Sequence, residues 1–230
     1  GLVGGNEMAQ WHTGYQLHEN EEAVKILVRL ILEMQKYKKE LEAKTGLKLA
    51  LARTPAESTA QRFAIADLLT PAFHDQTEKT VKGDLPRAQH MLAEGEKDVP
   101  VYYNNGTHVY VGANIGLLDK IDTEQKFFPL LNGGNMLHVW LGEAAPDPEA
   151  LYKLTQRIST QSQIGYYAYT KDLTVCNDCG VVSSLISRTC PNCGSSNVEW
   201  WSRVTGYYQA VSGWNEAKKA ELQNRFRVAV

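Results

Sequence analysis

Long apolar runs are missing from this 230-residue sequence. No stretch approaches the roughly 18 uninterrupted apolar residues of a membrane span, and the first residues lack the basic-then-apolar order of a signal peptide. No membrane association is expected, and the chain reads as cytoplasmic. A surplus of either charge is missing too: with 24 Lys and Arg against 26 Asp and Glu, the net charge of −2 offers no global attraction to nucleic acid or anionic lipid. Cysteine is scarce, with four in the whole chain, and repeats and low-complexity tracts are absent. What remains is ordinary globular material. Its 43% hydrophobic and 22% charged residues exclude a disordered or collagen-like chain, and the length suffices for one large domain or two ordinary ones around a real core. An initiator Met is also absent. The opening Gly1-Leu2-Val3-Gly4-Gly5-Asn6-Glu7 reads as the middle of a structured Gly-rich loop, so the sequence is expected to be a fragment of a longer chain.

The clearest periodic signal lies in residues 20 to 45. Asn20 is placed to cap a helix there, Glu21 and Glu22 fall in its first turn and Gly46 stands just past its end, while Val24, Leu27, Val28, Ile31, Met34 and Leu41 share one apolar face. Leu47 to Ala52 reads as a short buried strand. A second helix is expected from Pro55 to about Leu69, with Thr54 as N-cap, Pro55 at the first helical position and Glu57 completing a capping box. Residues 70 to 100 are polar and punctuated by Pro and Gly, an excursion expected to hold one short helix. Val101–Tyr103 and Thr107–Val111 flank Asn104-Asn105-Gly106 as a hairpin would. Met136–Leu141 reads as a further strand, Glu149 to Ile164 as a helix led in by Pro146 and Pro148, and Tyr166–Tyr169 as extended chain. Helix, strand and helix in this order suggest α/β layering.

Three stretches could carry chemistry. Cys176-x-x-Cys179 and Cys190-x-x-Cys193 use every cysteine, and each knuckle is followed by a Gly (Gly180, Gly194). Paired Cys-x-x-Cys turns bring four thiolates to one tetrahedral point, which favours a closed structural zinc site over disulfides, while the same spacing also serves rubredoxin-type iron. The second stretch is Arg53-Thr54-Pro55-Ala56-Glu57-Ser58, where capping is a sufficient account and the free amides at a helix start also suit an anion. Gly206, in Ser202-Arg203-Val204-Thr205-Gly206-Tyr207-Tyr208, is the third; such a glycine ordinarily supplies a positive φ or a close backbone approach. His138, alone on an apolar strand, reads as a satisfied core residue. The tail cations Arg203, Lys218, Lys219, Arg225 and Arg227 make the C-terminus mildly basic, which suits a nucleic-acid surface and a solvated helix face equally well.

Arg203-Val204-Thr205-Gly206-Tyr207 near the C-terminus resembles the radical-bearing loop of glycyl radical enzymes. The knuckles before it narrow the likeness to the C-terminal portion of the anaerobic (class III) ribonucleoside-triphosphate reductases, and the resemblance spans nearly the whole chain. It implies the second half of a ten-stranded α/β barrel in residues 1–165, a zinc ribbon in 166–200, and a radical loop with a C-terminal tail in 201–230, the loop buried within the barrel. It further implies that an activating enzyme using S-adenosylmethionine and an iron-sulfur cluster takes a hydrogen from Gly206. The Gly206 radical would then oxidise a cysteine upstream of this fragment, and that thiyl would start reduction of a ribonucleoside triphosphate. The resemblance places Asn6 beside the reacting ribose and has Thr54, Ala56, Glu57 and Ser58 help to hold the substrate phosphates. The complete protein would be a homodimer. Two other readings stand beside this one. A nucleic-acid-binding ribbon is opposed by the charge of residues 166–200, where Lys171 and Arg188 face Asp172, Asp178 and Glu199. A glycyl radical enzyme of the pyruvate formate-lyase type would not be expected to carry the ribbon.

Overall fold

Two left-handed glycines bracket the first helix. In the computed structural model, which describes residues 1–229, α1 (Gly5–Thr13) follows Gly4 at φ 76° and ends at Gly14 at φ 80°, whose N–H donates to Gln10 O. The Gly-rich loop expected over the first seven residues is therefore confined to the first four. Helix α2 (Glu21–Thr45) runs as its sequence dictates, with the Asn20 side chain accepting from Glu22 N and Gly46 closing the other end. Its buried Ala23, Leu27 and Ile31 pack against Ala9, Leu17, Val109 and Phe127 in one apolar cluster.

The next helix departs from expectation. Helix α3 is Thr59–Leu69, its N-cap is Ser58, and no side chain caps it. The proposed capping box is thus absent, because Thr54 and Glu57 lie ahead of the helix and Glu57 is drawn to distant partners. Leu47–Ala52 forms no strand and none of it is buried, Leu47 being 62% exposed; the chain pairs one step later, where Arg53 bridges Leu2 in parallel. The polar excursion holds two helices rather than one, α4 (His74–Thr80) and α5 (Leu85–Ala93), with β1 (Lys82–Gly83) between them. No hairpin forms around Asn104-Asn105-Gly106. Strand β2 (Val101–Tyr102) pairs antiparallel with β1, and Asn105 bridges Val3. Helix α6 (Leu117–Glu124) continues into a 3₁₀ segment, Gln125–Leu130, which the sequence did not signal.

Strand β3 (Leu137–Leu141), helix α7 (Pro148–Gln161) and strand β4 (Tyr167–Lys171) form a βαβ unit with β3 and β4 parallel, Leu137 opposite Tyr167 and Leu141 opposite Lys171. The chain then enters a four-stranded antiparallel sheet in the order β6-β5-β7-β8, built from β5 (Leu173–Cys176), β6 (Val182–Ser184), β7 (Val198–Arg203) and β8 (Tyr208–Ala210). Helix α8 (Glu216–Asn224) follows, and the tail returns to the βαβ unit, Leu141 bridging Val228 in parallel.

Beyond the named strands, extended segments lie side by side. Leu2 N donates to Ala52 O and Thr54 N to Leu2 O, while Gly133 N donates to Leu51 O and Arg53 N to Gly134 O. Gly4 N donates to Asn104 O. The described residues therefore contain an irregular arc of extended chain rather than one continuous barrel sheet.

Candidate functional site

The four-stranded sheet carries two of the three stretches the sequence singled out, thiols at one end and Gly206 at the other. At the first end, β5 delivers Cys176 opposite Val198 of β7. Gly180 (φ 72°) and Gly194 (φ 75°) close the two knuckles, donating to Cys176 O at 3.0 Å and Cys190 O at 2.9 Å. The four sulfurs lie within 4.8 Å of one another. Cys176 and Cys193 are 3.6 Å apart, as are Cys179 and Cys190. A tetrahedral zinc with Zn–S near 2.3 Å has sulfur–sulfur edges of about 3.8 Å, so donor set and spacing both fit a four-thiolate metal. The Val181 N–H and the Asn192 side chain hold the Cys179 thiol down to about 6, while against the Ser195 N–H the neighbouring thiols push Cys193 up to about 12, so without a bound cation the crowded sulfurs resist ionising together.

At the other end, residues 204–207 form the turn between β7 and β8, closed by the Arg203–Tyr208 pair and by Val204 N donating to Tyr207 O at 3.1 Å. The loop was expected to be buried; in this chain Val204 and Thr205 are buried, while Gly206 and Tyr207 are exposed. Val204 sits in an apolar cluster with Val211, Trp214 and Leu222. Arg203 lies over the Tyr208 ring at 4.9 Å and donates to Gly206 O. Gly206 itself is not one of the positive-φ glycines, and a Cβ built on it would meet only Met136 Cε, at 3.8 Å. Neither conformation nor space demands a glycine here.

Thr54–Ser58 meets this loop. Glu57 Oε1 accepts from the Thr205 hydroxyl and Oε2 from the Tyr207 hydroxyl, each at 3.1 Å. Ala56 is buried against Tyr102, Trp140 and Ala217, and the buried Thr54 hydroxyl has no partner. The Glu57 N–H is turned to Pro55 O rather than outward.

Asn6 lies elsewhere. It is fully buried, its Oδ1 accepts from Leu17 N at 3.1 Å, and its Nδ2 donates to Gln16 and Glu7. Its neighbour Glu7, not Asn6, lines a cleft of about 280 Å³ with Gly4, Trp11, Asp67 and Tyr103. Burial pushes the Glu7 carboxyl above its ordinary range against the opposing pull of Lys82.

Behind the loop runs a buried polar network that the sequence did not announce. Arg53 Nη1 donates to Glu124 Oε2 at 2.8 Å and to Met136 O, and Thr107 takes the rest of the guanidinium. Burial works to raise Glu124, but His108 and Arg53 outweigh it and hold its carboxyl below the usual range. Burial and then Arg53 push His108 down to about 4. His138 is not fully satisfied: it stacks on Trp140 at 5.7 Å, and its buried Nδ1 has no partner. Nor do the tail cations form a solvated face. Lys218 and Arg225 are buried on Glu221 at 2.5 and 2.9 Å, and Ser202 bridges Arg225 to Asp172, which also holds Arg227.

The signals for Glu124, and for the contacts of Glu57 that the sequence had assigned to a capping box and to the substrate phosphates, are weak, because both residues act on partners far away in sequence.

Comparison with known proteins agrees with this arrangement. The family model described as anaerobic ribonucleoside-triphosphate reductase matches residues 1–227. Anaerobic ribonucleoside-triphosphate reductases of Escherichia coli (strain K12) and Salmonella typhimurium are each 27% identical over 229 residues, covering 93% of this chain and 28% of their own length. That of Haemophilus influenzae is 26% identical over 218 residues, covering 90% of this chain and 27% of the relative. Among solved structures, an anaerobic ribonucleotide reductase superposes with a TM-score of 0.76 at 21% identity, covering 99% of this chain and 33% of that one. The Thermotoga maritima enzyme in complex with dATP and CTP gives 0.69 at 20%, covering 95% and 32%. The chain thus spans between a quarter and a third of the length of these proteins, and the likeness to the solved structures is one of fold. Since the family match runs through the four-cysteine sheet and the Gly206 loop almost to the last residue, this chain belongs to the anaerobic ribonucleoside-triphosphate reductase family.

Proposed function

We propose that the complete protein reduces ribonucleoside triphosphates to 2′-deoxyribonucleoside triphosphates by radical chemistry, and that Gly206 is the residue that stores the radical. The observation that carries this reading is that Gly206 has no structural need to be glycine: its φ lies outside the left-handed region and the space beside it is open. A chemical reason then takes the place of a steric one. Loss of one Cα hydrogen leaves a planar radical spread between amide nitrogen and carbonyl, and no side chain opposes the flattening. The exposure of Gly206 in this chain suits delivery to an activating enzyme that uses S-adenosylmethionine and an iron-sulfur cluster. The upstream part of the same protein would supply the thiyl cysteine and the rest of the enclosure that keeps the radical dry. This chain alone is expected to be inactive, and the complete protein to be a homodimer.

In this reading residues 1–165 belong to the second half of a ten-stranded barrel, supported by the arc of extended segments. Residues 166–200 are the ribbon, β4 linking it to the barrel, and residues 201–230 are the loop and tail. Cys176, Cys179, Cys190 and Cys193 hold a zinc, which with four thiolates has no open position and serves to fold the ribbon. Substrate phosphates lie at Thr54–Ser58, where the unpartnered Thr54 hydroxyl would bind them once uncovered and Ala56, Glu57 and Ser58 shape the approach. Asn6 beside the ribose belongs to the same proposal, and meeting a ligand there would exchange its bonds to Leu17, Gln16 and Glu7.

The test is anaerobic activation of the complete protein with its activating enzyme and S-adenosylmethionine, followed by electron paramagnetic resonance. A doublet from the one remaining α-hydrogen of Gly206 is expected, together with reduction of ribonucleoside triphosphates. An enzyme that turns over with no such signal would refute the reading.

A further inference from the structure

Glu57 is an unusual carboxylate. It caps no helix, and among the described residues it forms no ion pair with Lys or Arg within 4.0 Å. Its two oxygens are instead divided between the residues on either side of Gly206, Thr205 Oγ1 donating to one and the Tyr207 hydroxyl to the other, both at 3.1 Å. Its main-chain oxygen accepts from Asn215 Nδ2 at 3.0 Å, while Asn215 Oδ1 caps α8 by accepting from Lys218 N at 2.8 Å. The adjoining Ala56 is 1% exposed in an apolar cluster that includes Trp140 and Ala217. Glu57 therefore stands on a fixed base, and it reaches across roughly 150 residues of sequence to a turn that has few anchors of its own at its tip.

We propose that Glu57 is a positioning residue for Gly206: a latch whose carboxylate grips Thr205 and Tyr207, sets where the Gly206 Cα lies, and joins the Thr54–Ser58 segment to the loop. A carboxylate that accepts two hydroxyl bonds at once bridges its donors in a way that a longer or singly accepting group does not. Gly206 is thereby held from both sides without a side chain of its own. Because the latch and the segment are continuous, a ligand that shifts the backbone at Ala56 or Ser58 shifts the grip on the loop. That consequence rests on the function proposed above, whereas the latch itself does not.

Amide hydrogen exchange of the 230-residue chain, with the metal content held constant, tests it. Glu57→Ala is expected to speed exchange at Thr205–Tyr208 about tenfold, the scale of losing two hydrogen bonds to a partly exposed carboxylate, with α8 and the melting temperature unchanged. Glu57→Gln keeps one carbonyl acceptor and is expected to fall between. Thr205→Val with Tyr207→Phe removes the same bonds from the other side, so this double variant should match Glu57→Ala, and all three changes together should add nothing further. Loop exchange that does not move in Glu57→Ala, faster exchange spread equally through α3 and α8, or effects that simply add would each overturn the latch. The measurement involves no radical, so a missing doublet in the complete protein would defeat the functional reading and leave the latch standing, and the reverse.

Discussion

Replacing Gly206 with Ala separates chemistry from conformation, because the two accounts of this glycine predict opposite signs. The site has a φ outside the left-handed region, and a methyl group there makes only an ordinary van der Waals contact with Met136 Cε at 3.8 Å. At such a position Gly→Ala removes conformational freedom from the unfolded chain and stabilises by about 0.4–1 kcal/mol. For a chain of this size about 1 kcal/mol moves the melting temperature by roughly 2–4 °C, so a rise of about 1–4 °C is expected in a thermal scan. A glycine required for a left-handed turn would instead cost about 1–2 kcal/mol on the same substitution and lower the melting temperature. In the complete protein, Gly206→Ala is expected to keep fold and metal while abolishing three things together: the doublet, nucleotide reduction, and the chain cleavage that oxygen causes at the radical carbon. The assay pairs the thermal scan on this chain with spectra, turnover and mass mapping of air-exposed complete protein. A doublet surviving in the Ala variant, or air cleavage mapping away from residue 206, would refute the assignment. A large loss of stability would return Gly206 to the role of a turn residue.

Elemental analysis of protein purified without chelator is expected to give one zinc per chain, and Cys190→Ser to loosen residues 166–200 and misplace the following loop; no metal, or iron, would contradict this. Thr54→Val removes a buried hydroxyl that has no partner, so stability should hold or rise by up to about 1 kcal/mol while nucleotide binding to the complete protein weakens; unchanged binding would remove Thr54 from the site. His108 is pushed down to about 4 in the fold from an unfolded value near 6.5, so between these values the unfolded chain binds the extra proton. Stability is therefore full above about pH 6.5 and falls by up to ~3 kcal/mol as pH drops to about 4, and His108→Asn should flatten that slope in denaturant titrations. An unaltered slope would mean that His108 is not the titrating group.

What the sequence showed best was local. Helix α2 has its cap, its apolar face and its terminal Gly within one continuous stretch, and α7 and β3 are similarly self-contained. The cysteine knuckles were legible for the same reason, since each is a four-residue turn. Thr54-Pro55-Ala56-Glu57 misled because a capping box is also a local pattern, yet Glu57 finds its partners at Thr205 and Tyr207, and no nearby residue hints at them. The tail cations were misjudged by composition: Lys218 and Arg225 are charged, but Glu221 and Ser202 give them partners inside the fold. Helix α1 was hidden by the glycines that begin it. Its buried Asn6 and Ala9 show that packing and internal hydrogen bonds, rather than propensity, hold it.

Val204, buried beneath the turn with Trp214 and Leu222, limits how this protein can offer Gly206 to anything that must touch it. Fully burying a valine is worth roughly 1.5–3 kcal/mol, and the Arg203–Tyr208 pair sits just below it, so peeling the whole hairpin away would forfeit both. Opening at Thr205–Tyr207 forfeits the two hydroxyl bonds to Glu57, the bonds from Arg203 to Gly206 O and from Val204 N to Tyr207 O, and the burial of Thr205, but leaves Val204 and the strand pair in place. The part that can open is then a short arch on a pinned footing rather than a free arm. On the function proposed above, an activating enzyme would have to reach Gly206 while this arch lies outside the enclosure supplied by the upstream part, with the exposed Tyr207 beside it.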